Sequence, residues 1–192
     1  MNKIPTHSNH GQPFVHVPTF DDASKVFRGT RIDVHAFQLT GREGKSIQKE
    51  VVVHPGAVVI LPILDREHLI MIRNERFAVG KTLWELPAGT LEKNEAPLKT
   101  AMRELIEETG YEAKQMEHLT TFYTTPGFSN EVMYAYVATD LSFVGQDLDE
   151  TEQIVTEIVT WKKALEMAKD GTIADGKTLT TLLFYHTFMA KK

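Results

Sequence analysis

The chain has 192 residues, is 42% hydrophobic, carries a formal net charge of −5 and contains no cysteine. That length predicts one domain with a sizeable core and room for a small N-terminal extension. Absence of cysteine excludes disulfides and thiolate metal sites and is compatible with a reducing cytoplasm, while the lack of any basic block argues against non-specific nucleic-acid binding.

From residue 1 to about residue 24 the chain is polar and punctuated by Pro5, Pro13 and Pro18, which predicts a loose arm without the apolar segment of a signal peptide. His7, His10 and His16 lack a compact ligand spacing and read as solvated. Phe27 to Leu39 alternates as a strand, Gly41-Arg42-Glu43-Gly44 reads as a turn, and a second strand runs from about Ile47 to Val53, so a β-hairpin is expected here. After the break at Pro55-Gly56, the apolar run Ala57 to Leu64 is too short for a bilayer and predicts a strand buried on both faces. Asp65-Arg66-Glu67 turns into a returning strand, His68 to Arg73. Arg73 and Arg76 lie on that strand and its exit. Each reads either as a partner in a surface ion pair or as a guanidinium able to grip two phosphate oxygens at once.

Gly89 to Tyr111 is the most informative stretch. Asn94 suits a helix N-cap, Pro97 suits the first turn, and Gly110 suits the left-handed residue that ends a helix. Leu98, Ala101, Met102, Leu105 and Thr109 recur at helical spacing and predict the buried stripe. Glu104, Glu107 and Glu108 fall together on another part of the circumference. Such a run taken alone is a solvated acidic face. Mutual repulsion at these spacings also suits a counter-charge, and hard divalent cations take carboxylate oxygens together with substrate phosphates. Beyond the helix, strands are expected at Leu119 to Thr124, Val132 to Thr139 and Ile154 to Trp161. An acidic loop, Ser142 to Gln153, carries Asp147, Asp149, Glu150 and Glu152, and helices follow at Lys162 to Lys169 and Asp175 to Met189. Many strands, one helix among them and helices at the end predict an α+β fold.

The spacing Gly89, five residues, Glu95, seven residues, then Arg103-Glu104-Leu105-Ile106-Glu107-Glu108-Thr109-Gly110 resembles the signature of the Nudix hydrolases, Tyr111 alone departing from the usual aliphatic residue. Pro126, within Pro-Gly-Phe-Ser-Asn-Glu, and Leu86-Pro87-Ala88-Gly89 at the start of the motif resemble the relatives that cleave ADP-ribose and nucleoside diphosphate sugars. This resemblance implies an α/β/α sandwich with a mixed sheet over residues 55–192. An N-terminal arm and β-hairpin over 1–54 would serve dimerisation and the base pocket. It implies Mg2+-dependent hydrolysis (Mn2+ as a possible substitute) of ADP-ribose to AMP and ribose 5-phosphate, or of sugars such as GDP-mannose and ADP-glucose, in a cytoplasmic homodimer. A non-catalytic ADP-ribose-sensing module is the alternative from another class. Implied metal ligands are Glu104, Glu107, Glu108 and the Ala88 carbonyl, with Gly89, Glu95 and Arg103 structural. Glu150 or Glu152 would hold the attacking water. Substrate contacts would come from Arg76, Phe128 and Glu131, with Phe27 or Phe37 under the base. Lys49 stands where many relatives have an arginine.

Overall fold

The computed structural model describes residues 19–41, 44–148 and 153–190. The chain divides into two compact units. The first comprises the described part of Met1–His54 together with Thr125–Glu131. After a 3-10 turn at Phe20–Asp22, it forms an antiparallel sheet in the order β1 (Ser24–Arg28), β2 (Asp33–Thr40), β3 (Ser46–Val53). The single strand expected over Phe27 to Leu39 is therefore two strands. The alternation hid a tight reversal in which the Gly29 N–H donates to the Ile32 carbonyl at 2.9 Å, and a Cβ at Gly29 would lie 2.5 Å from that same oxygen. The Pro126 loop runs beside β3: Val52 N–H donates to Phe128 O, Asn130 N–H donates to Val52 O, and the Asn130 side chain accepts from His54 N–H.

The second unit is built around β4 (Ala57–Pro62), in which Val58 to Leu61 are wholly buried. Val59 and Leu61 pack with Leu69, Met71, Met167, Ile173 and Leu182, whereas Val58 and Ile60 pack with Ala101, Leu105, Tyr136 and Ala138. Successive side chains of a strand point to opposite faces, so a continuous apolar run is what a strand covered on both sides requires. Next come β5 (His68–Arg76), β6 (Lys81–Glu85), β7 (Ala88–Thr90), α1 (Pro97–Thr109), β8 (Tyr111–Tyr123), β9 (Val132–Phe143), β10 (Ile154–Thr160), α2 (Trp161–Asp170) and α3 (Gly176–Phe188). A mixed sheet has the order β7-β4-β9-β8, with β4 and β9 parallel, and an antiparallel sheet has the order β10-β5-β6. With α1 on one face of β4 and α2 and α3 on the other, this unit is the expected α+β arrangement of helices around a mixed sheet. No helix among the described residues is long and apolar enough to cross a membrane.

Several local expectations change. The residue before a proline is held extended, so Pro97 makes Ala96 the N-cap of α1, and Asn94 instead takes a left-handed turn at φ 65°. Leu98 and Met102 are 43% and 45% exposed, while Thr100, Ala101, Glu104, Leu105, Glu108 and Thr109 form the buried face. The helix is thus rotated toward its acidic side. Strand β8 begins at Tyr111 rather than Leu119, because it is the edge of its sheet and needs little apolar patterning.

Gly110 ends α1 at φ 77°, and a Cβ there would lie 2.8 Å from the Phe143 ring and 2.9 Å from Gln146 N. Gly110→Ala is expected to destabilise the protein by about 1–3 kcal/mol, the range for a non-glycine residue forced left-handed; urea unfolding at neutral pH measures it.

Candidate active site

Helix α1 faces the short strand β7, and Glu104 and Glu108 of the acidic motif lie in that seam. Gly89 is there because nothing larger fits: a Cβ would lie 1.8 Å from Glu104 Cδ. Glu108 is buried and one of its oxygens accepts the Ala88 N–H at 2.8 Å, tying the end of the helix to β7. The last turn is held from outside as well. Gln146 and Thr156 donate to the Glu108 carbonyl, and Asp147 N–H donates to that of Glu107.

Arg103 supplies the counter-charge. Its Nη1 lies 2.9 Å from Glu104 Oε1 and 2.8 Å from Glu107 Oε2, bridging two carboxylates, while Nη2 and Nε face Glu95 at 3.1 and 3.4 Å. Partial burial alone would lower the Arg103 pKa. The bond to Glu95 and the charges of Glu104 and Glu107 more than reverse that, so the guanidinium stays protonated more firmly than an ordinary arginine. Arg103, chiefly, and the Thr100 hydroxyl in turn hold the Glu95 carboxyl below its usual range. Among the described residues no three Asp, Glu or His side chains converge tightly enough to hold a cation as placed. The donor chemistry nevertheless suits a hard cation: Glu104, Glu107 and Glu108 offer carboxylates and Ala88 a backbone carbonyl, all oxygen.

Arg76 lies in the same unit. Its Nε and Nη2 donate to Glu85 at 2.8 and 2.7 Å, and Glu85 is wholly buried. Those bonds, against the opposing effect of burial, raise the Arg76 pKa, with Glu108 and Asp175 adding smaller charge contributions. Arg73 has a different setting, over the Trp84 ring and 3.9 Å from Glu157. Glu85 and its further partner Lys177 on α3 carried no role in the sequence reading; a lone glutamate flanked by Trp84 and Leu86 is the signal that could have marked it.

The remaining candidates fall in the first unit or outside the described residues. Phe37 is only 6% exposed and packs edge-on against Phe20, so its ring is not presented to a ligand, whereas Phe27 is 56% exposed. Lys49 and Phe128 are exposed, and Glu131 lies 3.5 Å from His54 Nδ1. Glu150 and Glu152 lie outside the described residues, as do His7, His10, His16 and the turn residues Arg42 and Glu43.

Glu95 binds its proton less tightly folded than unfolded. Its stabilising contribution is therefore complete above the ordinary glutamate pKa, about 4.3, and is lost as the pH falls through the lower folded value. The stability difference between the wild-type protein and Glu95→Gln should shrink as the pH is taken from about 5 to about 3. Chemical unfolding across that range measures it, and a difference that stays constant would contradict the Arg103 pairing.

A family model described as the NUDIX domain matches residues 53–182. The chain is 40% identical over 156 residues to the ADP-ribose pyrophosphatase of Bacillus subtilis (strain 168), covering 80% of this chain and 84% of that one. It is 38% identical over 162 residues to the methanol dehydrogenase activator of Bacillus methanolicus, covering 83% and 88%. A crystal structure of an ADP compounds hydrolase superposes with a TM-score of 0.79 at 23% identity over 93% of this chain and 97% of that one, a likeness of fold. With Glu104 and Glu108 of the acidic motif buried between α1 and β7, the chain belongs to the Nudix family and is a pyrophosphohydrolase.

Proposed function

We propose that the protein hydrolyses the diphosphate bond of ADP-ribose, releasing AMP and ribose 5-phosphate. The observation that carries this reading is the burial of Glu104 and Glu108 in the α1–β7 seam, where an apolar side chain would pack at lower cost. The likeness to the Bacillus subtilis enzyme supports the choice of substrate. Glu104, Glu107, Glu108 and the Ala88 carbonyl are the groups that would hold Mg2+, with Mn2+ as a substitute. When bound, the ion supplies charge stabilisation to the diphosphate oxygens and lowers the pKa of a coordinated water.

This chain's own residues do the rest. Arg103 shares its charge among Glu95, Glu104 and Glu107 and so keeps the carboxylates that would hold the ion oriented. The Ala88 N–H fixes the rotamer of Glu108. Arg76 would bond the phosphate oxygens. Glu150, with Glu152 second, would take the proton of the attacking water. Lys49, Phe128 and Glu131 are proposed contacts for the phosphate and sugar, and Phe27, rather than the buried Phe37, for the base. The exposed apolar side chains Val26, Phe27 and Ile47 on the small N-terminal sheet, with Ile32 in the turn between β1 and β2, support a homodimer, and the lack of cysteine accords with a cytoplasmic location. The relative named a methanol dehydrogenase activator favours a second reading, in which the protein acts on a dehydrogenase.

Purified protein with Mg2+ should release AMP from ADP-ribose, with lower kcat/KM for ADP-glucose, GDP-mannose and NADH measured in the same panel. Tight binding of ADP-ribose without turnover would instead favour a sensor, and stimulation of a methanol dehydrogenase without such turnover would favour the second reading. Glu108→Gln should remove nearly all activity while the thermal unfolding profile stays that of a folded protein. In Gly89→Ala the far end of Glu104 must swing away while the backbone can stay. Its kcat/KM should fall by about 10–100-fold, the range for a misdirected metal ligand, and circular dichroism should report an unchanged fold.

A further inference from the structure

Glu85 is a buried carboxylate that neither the acidic motif nor the apolar core explains. It sits on β6 opposite Ile72, has no exposed surface, and is followed after Leu86 and Pro87 by Ala88. Taking a carboxylate out of water costs several kcal/mol unless charges and hydrogen bonds compensate, and an apolar side chain of similar size is often as stable. Its compensation is specific. The Nε and Nη2 edge of Arg76 donates to Oε1 and Oε2, and Lys177 Nζ on the first turn of α3 reaches Oε2 at 2.5 Å.

The same turn grips the neighbouring backbone. Thr178 Oγ1 accepts the Leu86 N–H at 2.8 Å, while Asp175 caps the helix through the Thr178 N–H at 3.0 Å and lies 3.0 Å from Lys177 Nζ. Lys177 is itself nearly enclosed, 12% exposed, whereas Arg76 is 40% exposed. Of the two cations on Glu85, only Arg76 is open to a solute.

A guanidinium offers two two-nitrogen edges, and Glu85 uses one of them. We propose that Lys177 is a positioning residue: by sharing and anchoring the Glu85 carboxylate, it fixes the Arg76 guanidinium so that its second edge, Nη1 and Nη2, is aimed at the diphosphate of the substrate. This rests on the reading of Arg76 as a phosphate contact. Two physical effects follow from the placement of Lys177. The carboxylate is anchored to α3 and cannot turn with Arg76, and its charge is divided between two cations, so that less of the Arg76 charge is cancelled.

The test measures Kd for inorganic pyrophosphate by calorimetry with Mg2+ present, and kcat and KM for ADP-ribose, in the wild-type protein and four variants. These are Lys177→Met, Lys177→Arg, Arg76→Ala and the Arg76→Ala/Lys177→Met pair. Lys177→Met should weaken pyrophosphate binding and raise KM roughly tenfold, the scale of one charge-assisted hydrogen bond, with kcat within about threefold. Lys177→Arg should keep most of the affinity. In the Arg76→Ala background, Lys177→Met should change Kd by less than about twofold, since coupled residues are not additive. An unchanged Kd and KM in Lys177→Met, or an effect undiminished in the Arg76→Ala background, overturns the proposal. Wild-type Kd in Arg76→Ala overturns it together with the phosphate reading of Arg76. Absence of ADP-ribose turnover bears on the choice of substrate, and the pyrophosphate Kd still decides the role of Lys177. If Lys177→Met does not fold, Lys177→Gln, which keeps a donor to Glu85 without the charge, is judged by the same Kd.

Discussion

Three like charges on neighbouring positions of one helix have to be reconciled with its packing against a strand. Like charges three or four residues apart on a helix repel by only a few tenths of a kcal/mol when solvated, but Glu104 and Glu108 are buried, and a charge taken out of water without a partner costs far more. The chain meets this with Arg103. One nitrogen bridges Glu104 and Glu107, the opposite side of the guanidinium is held by Glu95, and the burial of Glu104 becomes tolerable. Arg103 belongs to the same helix as Glu104 and Glu107, while Glu95 reaches it from the turn before α1.

The position of α1 then determines everything near it. Because β4 is apolar on both faces, it can carry α1 on one side and α2 and α3 on the other, and β7 pairs along its edge. In the seam between α1 and β7 the Glu104 carboxylate has room because residue 89 has no side chain, and Glu108 finds a backbone N–H. On the far side of the same short stretch, Glu85 and Leu86 are gripped by the first turn of α3. The three residues from Glu85 to Pro87 thus link the helix at the end of the chain to the acidic helix in its middle. Contacts between residues far apart in sequence lock both ends of that link.

The acidic motif, the left-handed end of α1 at Gly110 and the doubly buried strand β4 were legible in the residues themselves, since each depends on spacing, on backbone geometry or on a run of one chemical type. The counter-charge was legible only in part: the resemblance marks Glu95 and Arg103 as structural, whereas their pairing and the bridge from Arg103 to Glu104 and Glu107 need rotamers. Leu98 and Met102 misled because periodicity shows which residues share a face but not which face turns inward. The inward face was decided by the Gly89 gap, which accepts a carboxylate and would not have been inferred from hydrophobicity. Asn94 misled for a local reason, since Pro97 dictates the backbone of Ala96 and leaves Asn94 to the preceding turn.

By itself the sequence determined the chemistry on offer: oxygen ligands at helical spacing, a glycine where closeness is needed, an arginine within reach of them, and a strand that must lie in the middle. Only the tertiary structure decided which partners those groups take. It turned α1 onto its acidic side, enclosed Glu85 between Arg76 and Lys177, and buried Phe37 while leaving Phe27 exposed. The reason is physical. Spacing along the chain sets relations within one element, whereas the cost of burying a charge, and the partner that offsets it, depends on which elements are brought together in space.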